Sequence, residues 1–371
     1  MKIYTITCHD VYNHGASLQA YALMKYLENQ GHNVEIIDYK PDYLSNHYNM
    51  FSIDNPKWDK NFISKSIYLT LKIPSRIIGR KRKNAFDKFT RKNLKITNKR
   101  YKSNEDLLNN MPLGDAYICG SDQIWNSLHR NGRDRAFYLN FAPDNKIKAS
   151  YAASFATDFV SKEYENLVKE NVNKLDGVGV REVSGVNILN NLGIKKAVNV
   201  LDPVFLLGKE EWSNIGEEVF DEKYLLVYDF DKNSFIEKLA KDIAKEKGYK
   251  IYTISHYKAG YEDRSFRYSG PETFVSLVRN AEFVISNSFH AVVFSLIYEK
   301  EVVIVNRTEN INTRMRDLLC LVNLKERLVT EKTYNLDKLL NPINYVEVKK
   351  ILNKNIKFSK NYLEKVLAIK K

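Results

Sequence analysis

The sequence predicts an α/β protein made of two Rossmann-like domains that face each other across a cleft. Short apolar runs alternate with stretches of helical periodicity along the chain, which is typical of parallel sheets covered by helices. The alternation occurs in two sets that meet near residues 203–222. A chain of 371 residues is also too long for one ordinary hydrophobic core.

The domain boundaries follow from this alternation. Residues 1–210 are predicted to form the N-terminal domain, and residues 211–345 the C-terminal domain. A stretch at about 43–102 interrupts the alternation, so we expect an insertion there. Residues 346–371 are rich in lysine and helical in pattern. This last segment is expected to be a helix that crosses back onto the first domain.

Composition indicates a soluble globular protein. Hydrophobic residues make up 44% and charged residues 28% of the chain. The sequence contains no run of 18 apolar residues and opens with the strand-like Lys2–Thr7, which predicts neither a transmembrane helix nor a signal peptide. Cys8, Cys119 and Cys320 lie far apart without a CxxC pattern. We therefore expect reduced thiols of a cytosolic protein, and no zinc or redox site.

The positive charge is concentrated in one segment. The chain carries a net charge of +13, while residues 57–102 hold 16 Lys plus Arg and 2 acids, so 16 − 2 = +14. Apolar residues such as Ile63, Ile67 and Leu71 alternate with these cations, which suits an amphipathic helix on anionic lipid headgroups. The alternative is a helix that packs its apolar face on the domain. Pro74 is expected to kink or end this helix, and no nucleic-acid motif accompanies the charge.

A βαβ unit at residues 282–306 carries the clearest candidate site. His290 falls in the first turn of its helix, at the carboxyl end of the preceding strand, where open α/β sheets bind ligands. The helix start favours an anion, and Ser286 and Ser288 can cap it or donate to a ligand. We expect a phosphate or carboxylate site; the alternative is a histidine that only packs under its own helix. Guanidinium partners for such an anion are Arg181, Arg307 and Arg314.

A second candidate site follows the strand at residues 115–119. Ser121, Asp122 and Gln123 place hydrogen-bonding groups at the strand end, and Trp125 adds a flat apolar face. This combination suits a sugar, whose hydroxyl groups need polar partners and whose C–H face stacks on aromatic rings. Asp122 is alternatively a helix N-cap, and Trp125 a core residue.

The turn after the first strand gives a weaker signal. It contains a single glycine and lacks GxGxxG, so a dinucleotide site is poorly supported. Asn13, Gly15 and Gln19 either line a ligand cleft or form an ordinary strand-to-helix turn.

Arg181 stands at the end of another predicted strand. A guanidinium there is a natural fork for a carboxylate or phosphate. The alternative is a structural ion pair with Glu182 or another surface acid.

Several short blocks, in this order, resemble the polysaccharide pyruvyl transferase family. They span the chain from near its start to about residue 330, without the basic insertion, and the ordered set is far more specific than any one block. Relatives often have Asp and Gly where this chain has Asn287 and Ala291, and a Gly in place of Ala156. The matching blocks are Asn13-His14-Gly15 with Leu18–Leu23, Gly120–Asn126, Tyr151–Phe155, Arg181-Glu182 with Ser184-Gly185, Leu201-Asp202-Pro203, and Ser288-Phe289-His290.

The resemblance implies a GT-B-like fold and transfer of pyruvate, as a ketal, from phosphoenolpyruvate to a sugar of a surface polysaccharide or its lipid-linked precursor. It implies that the second domain holds the donor, with the histidine that matches His290 at its phosphate or reacting carbon. Because the methylene carbon must be protonated, His290 is the best-placed general acid, with Asp122 as a possible base for the sugar hydroxyl. Neither a metal nor a cofactor is expected besides the co-substrate. The expected donor-binding residues are Ser286, Ser288, Phe289, Arg181, Arg307 and Arg314, and the expected acceptor-binding residues are Asn13, Gly15, Gln19, Ser121, Gln123 and Trp125.

Two other functions remain open on sequence grounds. One is a GT-B glycosyltransferase that uses a nucleotide sugar, for which Glu272 is the candidate ribose-binding acid. The other is a carbohydrate-binding assembly protein without catalytic activity. The expected partners are phosphoenolpyruvate, a sugar acceptor that is lipid-diphosphate-linked or nucleotide-linked, and an anionic membrane surface contacted by residues 57–102, but no nucleic acid. The expected location is the cytoplasm, at the inner face of the cell membrane.

Overall fold

Two parallel sheets, one in each half of the chain, organise the computed structural model, which describes residues 1–45, 61–216, 218–309 and 311–370. The first sheet has seven strands in the order β3-β2-β1-β4-β5-β6-β7. All of its pairings are parallel. Its strands are β1 (Lys2–Ile6), β2 (Asn33–Tyr39), β3 (Ile96–Tyr101), β4 (Ala116–Cys119), β5 (Ile147–Ala153), β6 (Gly177–Val180) and β7 (Ala197–Asn199).

Helices connect the strands of this first sheet. Asn13 caps the first of them by accepting a bond from the Ala16 amide, and Gly31 follows its end with φ of +83°, a backbone conformation that costs glycine little. The helices are α1 (His14–Asn29), α2 (Asp42–Ser45), α3 (Phe62–Asn93), α4 (Asn104–Asn110), α5 (Glu165–Asn173) and α6 (Val183–Asn191), with 3₁₀ turns at Arg130–Arg133, Arg135–Tyr138, Lys162–Tyr164 and Pro203–Leu206.

The second sheet has six strands in the order β10-β9-β8-β11-β12-β13, again all parallel. Its strands are β8 (Tyr224–Tyr228), β9 (Lys250–Thr253), β10 (Arg264–Ser265), β11 (Phe283–Ser286), β12 (Glu301–Val305) and β13 (Leu328–Val329). The remaining helices are α7 (Lys209–Ser213), α8 (Ser234–Lys247), α9 (Pro271–Asn280), α10 (Phe289–Ile297), α11 (Thr313–Leu321), α12 (Leu336–Leu339) and α13 (Tyr345–Leu367), with a 3₁₀ turn at Lys325–Arg327.

Each sheet has a point where the strand order reverses. In the first sheet the chain runs outward from β1 on one side and from β4 on the other, and in the second sheet the same holds for β8 and β11. Ligands of open α/β sheets bind at the carboxyl ends of such strands. The segments that follow β4 and β11 contain Asp122 and His290, so both candidate sites lie at reversal points.

The two halves share one hydrophobic core. Leu18 and Leu23 of α1 belong to the same buried cluster as Val292 and Leu296 of α10. Polar contacts add to it, because His14 lies 3.3 Å from the Tyr228 hydroxyl and 3.2 Å from the Ser269 carbonyl oxygen. This confirms the predicted fold class of two Rossmann-like units facing across a cleft, which is the GT-B arrangement.

The C-terminal helix α13 lies on the first sheet. The Tyr362 hydroxyl donates to the Ser150 carbonyl oxygen at 2.8 Å, and the Ser359 hydroxyl accepts from the Leu201 amide at 2.9 Å. The chain therefore ends against the half in which it began.

Helix α3 contains most of the described cations of the basic segment and runs 32 residues, continuing through Pro74. Pro74 was expected to kink or end the helix, and the expectation that it ends the helix is wrong. A proline removes only one backbone hydrogen-bond donor, and the turns on either side of it keep theirs. Several large apolar side chains of its first half are exposed, among them Leu71 at 67%. The predicted positions 57–60 and the side chain of Ile63 lie outside the described residues.

Arg82, in the middle of α3, contacts both halves of the protein. Its guanidinium donates to the carbonyl oxygens of Tyr12 and Arg267, each at 3.2 Å. Arg82 thus joins the two halves and is not part of the exposed basic surface. Within the described residues, no helix combines the length and the apolar character that crossing a membrane requires.

Candidate active site

A cleft of about 380 Å³, its opening included, lies between the two sheets where the reversal points meet. Both halves contribute to its lining, which consists of Asn13, Asp122, Gln123, Phe230, Asn287, Ser288, Phe289, His290, Arg307 and Arg314.

The turn between β11 and α10 is held rigidly by its own small polar residues. The Ser286 hydroxyl donates to the Tyr228 carbonyl oxygen at 2.6 Å and accepts from the Ser288 amide at 2.9 Å. Ser286 is fully buried and supports the site from behind. The Ser288 side chain makes no capping bond to α10, and Ser288, Phe289 and His290 line the cleft. The uncapped start of the helix is therefore a favourable place for an anion.

Asn287 is bound to the end of β8. Its amide nitrogen donates to an Asp229 carboxylate oxygen at 2.6 Å, and its amide oxygen accepts from the Phe230 backbone at 3.0 Å. An aspartate at position 287 would set a second carboxylate against Asp229. An asparagine at position 287 therefore suits Asp229, because it donates a hydrogen bond to this carboxylate and adds no second negative charge.

His290 lies between residues of the first half. A Cβ added to Gly15 would be 1.9 Å from its Nδ1 atom, so glycine is needed for the ring to occupy this place. Its Nε2 atom lies 3.5 Å from Asp202 Oδ2. The side chain is 7% exposed and lines the cleft, so the histidine does more than pack beneath its own helix.

Two guanidinium groups of the second half line the same cleft and are incompletely paired. Arg314 lies 3.7 Å from Asp122, and Arg307 lies 3.2 Å from Asp231 and 3.3 Å from Glu309. The Nε atom of each is buried and has no hydrogen-bond partner among the described residues. Burial, with the nearby Arg181 cation, lowers the pKa of Arg314 to about 10. An anion in the cleft would give these two guanidinium groups an acceptor for donors that are otherwise unused.

Arg181 does not line the cleft, and this corrects the expectation that it binds the donor substrate directly. Its two terminal nitrogens donate to Asp202 at 2.8 Å and to Asp122 at 3.3 Å, and its side chain is only 1% exposed. The alternative pairing with Glu182 is absent from the ion pairs of the described residues, because that carboxylate accepts from the Phe155 and Ala156 amides. The guanidinium nitrogens that were predicted to bind a ligand are thus bonded to two carboxylates of the protein.

Asp122 is the carboxylate that faces the cleft. It stands at φ of +72° directly after β4, and its carbonyl oxygen accepts from the Ser154 amide at 3.0 Å. Burial raises the pKa of Asp122, but Arg181, His290 and Arg314 together outweigh burial and hold the pKa below its ordinary value. The group is therefore ionised at neutral pH.

Among the expected acceptor residues, Asn13 and Gln123 line the cleft, whereas the other four do not. Gly15 lies against the His290 ring instead. Trp125 is fully buried, stacks on Tyr138 and donates to the Phe137 carbonyl oxygen, so its expected stacking on a sugar is wrong. Ser121 and Gln19 are also fully buried, and the Gln19 side chain accepts from the Ser121 amide at 3.1 Å. These residues shape the strand end that presents Asp122.

Sequence reasoning missed the role of two residues at this site. Asp202 contacts both Arg181 and His290, although the sequence showed it only within a Leu-Asp-Pro block. His14 is fully buried between the halves, and burial keeps its pKa well below the ordinary value. The sequence signals for these two roles were an aspartate and a histidine inside short motifs. The residues that they contact lie far away in the sequence, so these contacts could not be predicted.

Two further candidates can be placed. Glu272, the expected ribose-binding acid, lies in the first turn of α9 and outside the cleft lining. Within the described ranges, no group of three or more His, Cys, Asp or Glu is arranged to hold a metal ion.

Comparison with solved structures finds distant likenesses. UDP-GlcNAc 2-epimerase from Methanocaldococcus jannaschii, in complex with UDP-GlcNAc and UDP, is 14% identical, with 98% of this chain and 99% of that chain covered and a TM-score of 0.49. TarM is also 14% identical, with 99% of each chain covered and a TM-score of 0.49. Escherichia coli ADP-heptose LPS heptosyltransferase II is 12% identical, with 97% and 100% covered and a TM-score of 0.35. The fold assignment rests on the topology of this chain's own sheets.

Comparison by sequence is decisive for the family. A search of curated protein sequences finds no match. The model of the polysaccharide pyruvyl transferase family matches residues 13–309. These include all six blocks of resemblance, the segments that follow β4 and β11, and every residue that lines the cleft except Arg314. The chain therefore belongs to the polysaccharide pyruvyl transferase family.

Proposed function

We propose that the cleft transfers pyruvate from phosphoenolpyruvate to two hydroxyl groups of a sugar and releases phosphate. The observation that carries this proposal is the set of groups at the start of α10. A histidine, an uncapped helix start and the incompletely paired Arg307 and Arg314 converge on one small cleft. Phosphoenolpyruvate is small, carries a phosphate and a carboxylate, and needs a proton donor at its methylene carbon, so it fits all three features.

The chemistry balances without another reactant. His290 gives a proton to the methylene carbon, and the central carbon becomes oxocarbenium-like as its double-bond electrons form the new C–H bond. One sugar hydroxyl attacks this carbon, the C–O bond to phosphate breaks, and the second hydroxyl attacks to close the ketal. Of the two hydroxyl protons, one restores the histidine and the other leaves on the phosphate.

Asp122 faces this chemistry from the first half. Because its pKa is held below the ordinary value, it is a permanent anion at neutral pH and a weak base. Its contribution is to orient a sugar hydroxyl, stabilise positive charge at the central carbon, and accept a hydroxyl proton as attack makes that proton acidic, before this proton passes on to restore the histidine. Asn13 and Gln123, which line the same side, supply hydrogen bonds to the acceptor.

We infer that the acceptor sugar is carried on a lipid diphosphate and that the reaction takes place at the cytoplasmic face of the membrane. Helix α3 supports this inference. Ile67, Leu71 and Ile78 are exposed and spaced four and seven residues apart, which puts them on one helix face, and the exposed Arg80 and Lys81 follow them. Further along, Arg82 bonds the Tyr12 carbonyl oxygen, next to Asn13 of the cleft. The same helix would thus connect a lipid surface with the acceptor side.

Co-sedimentation with vesicles tests this location. We expect binding to vesicles that contain phosphatidylglycerol, weak binding to phosphatidylcholine alone, and loss of binding at high salt. Replacing Arg80 and Lys81 by Glu removes two attractions of roughly 1 kcal/mol each, so affinity should fall at least about thirtyfold. Leu71→Ser should also weaken binding, whereas Leu113→Ser, at an equally exposed leucine outside α3, should not. Equal binding by all variants would refute membrane docking through α3.

Phosphate release tests the transfer reaction. The protein is incubated with phosphoenolpyruvate and a panel of free, nucleotide-linked and lipid-linked sugars, and inorganic phosphate is measured with and without each acceptor. We expect release that depends on one class of acceptor. Release of a nucleotide from a nucleotide sugar would instead identify a glycosyltransferase, and binding of phosphoenolpyruvate and sugar without turnover would identify a non-catalytic assembly protein.

A further inference from the structure

Asp202 lies at the centre of the contacts between the two halves of the site. It follows β7, and its Oδ1 atom accepts from the Val204 amide at 3.0 Å. Its Oδ2 atom lies 2.8 Å from Arg181 Nη1, 3.3 Å from the Ser121 hydroxyl and 3.5 Å from His290 Nε2. The carboxylate itself is completely enclosed, so it cannot contact a ligand.

We propose that Asp202 is a positioning residue for His290: it holds the Nε2 proton of the ring, so that Nδ1 is the atom that exchanges a proton with the donor. This inference rests on the proposed function for the role of His290 as an acid. It assigns the acting nitrogen of the ring and the group that fixes it.

Accessibility decides which nitrogen can act. Nε2 is buried to the point that it touches no solvent, and it has no hydrogen-bond partner at ordinary distance among the described residues. Asp202 is the carboxylate nearest to it, at a distance that suits an ion pair and shortens to a hydrogen bond with a small movement of the ring. A ligand in the cleft cannot reach this nitrogen. Since one ring nitrogen is occupied by the carboxylate, the other must carry the exchangeable proton.

Charge favours the same assignment. Burial alone raises the pKa of Asp202, but His290 and Arg181 outweigh burial and bring the pKa well below its ordinary value. The group therefore stays a carboxylate at every working pH. A fixed negative charge 3.5 Å from Nε2 attracts an N–H at that ring position, so the proton of Nε2 is held there and Nδ1 is left to exchange with the donor.

The arrangement also joins the two halves. Asp202 and Gly15 belong to the first half and enclose a histidine of the second half. The acid would therefore be correctly held only when the halves are together, which ties proton donation to a closed cleft.

A double-mutant cycle separates this role from simple support of Arg181. Asp202→Asn keeps the shape of the side chain and removes its charge. We expect kcat/KM for phosphoenolpyruvate to fall on the order of 10²-fold with KM little changed. In a His290→Gln background the same change should cost less than about threefold, because the partner is already gone. Additive effects would show that Asp202 acts through Arg181 and would overturn the proposal.

A measurement on the wild-type protein also tests the proposal, and it does not depend on whether a variant folds. In protein labelled with ¹⁵N at histidine, the protonated and bare nitrogens of a neutral ring have well-separated shifts, and the spectrum of His290→Gln identifies the signals of His290. We expect the neutral ring to carry its proton on Nε2. A proton on Nδ1 would overturn the assignment. This result does not depend on turnover, so it stays informative if the transfer reaction itself is not found.

Discussion

Gly15→Ala is the sharpest perturbation of the site, because it adds one methyl group next to the histidine. The new Cβ would lie 1.9 Å from His290 Nδ1, whereas non-bonded heavy atoms prefer roughly 3.5 to 4.0 Å. The backbone of α1 is fixed by packing against both halves, so the ring must move by about 1.5 Å or more to restore that separation. Such a displacement separates Nε2 from Asp202 and misdirects Nδ1.

The expected magnitudes differ for folding and for activity. Overpacking costs about 1 to 3 kcal/mol, and the better helix propensity of alanine recovers up to about 1 kcal/mol, so Tm should fall by a few degrees only. A misplacement of about 1 Å at a reacting group costs on the order of 10² in rate. We therefore expect kcat/KM in phosphate release to drop about a hundredfold in a protein that remains folded at the assay temperature.

Gly185→Ala is the matched control. Gly185 is also a buried glycine near the start of a helix, α6, but its added Cβ would meet its nearest neighbour, Phe155, at 3.3 Å. Activity of this variant should stay within about threefold of the wild type, since the methyl group touches no residue of the cleft. If Gly15→Ala also retained activity within that range, the tight placement of His290 would be irrelevant to the reaction and the reasoning would fail.

Three further predictions concern the charged groups. Arg314→Ala removes a cation that lines the cleft and should raise the KM for phosphoenolpyruvate at least about tenfold in steady-state kinetics; an unchanged KM would exclude Arg314 from donor binding. Arg181→Lys should lower kcat and thermal stability and leave that KM nearly constant, because Arg181 holds Asp122 and Asp202 and not the ligand; a rise in KM alone would contradict this. The pKa values of Asp122 and Asp202 are lower in the folded protein than in the unfolded chain. The two ionised carboxylates therefore stabilise the fold fully above the unfolded pKa of about 3.9. This stabilisation is lost as pH falls through their pKa values in the folded protein. Tm measured from pH 6 to pH 2.5 should therefore drop steeply below about pH 4, and less steeply in Asp202→Asn.

Local patterns in the sequence were sufficient to predict the fold and half of the site. The strand and helix periodicities placed β11, α10 and β12 correctly, and they put His290 in the first turn of α10. Pro271 stands at the first position of α9, where a proline is favoured because its fixed φ suits the helix start. Such features depend on neighbours a few residues apart, so a single sequence contains the necessary information.

Other features depended on residues far apart in the chain. Trp125 has the chemistry of a sugar-stacking residue, but Tyr138 and Phe155 cover its ring. Arg181 has the chemistry of a ligand fork, but the fold brings two carboxylates to it. Residue type predicts what a side chain can bind, whereas burial and long-range partners decide what it does bind.

The most direct test of the central claim follows the carbon that is protonated. Phosphoenolpyruvate labelled with ¹³C at its methylene carbon is incubated in D₂O with the protein and the acceptor found to release phosphate, and the product is observed by NMR. The account predicts a methyl signal of a ketal that carries one deuterium, and its loss in His290→Gln. Unchanged phosphoenolpyruvate, or free pyruvate at the same rate in both proteins, would contradict it.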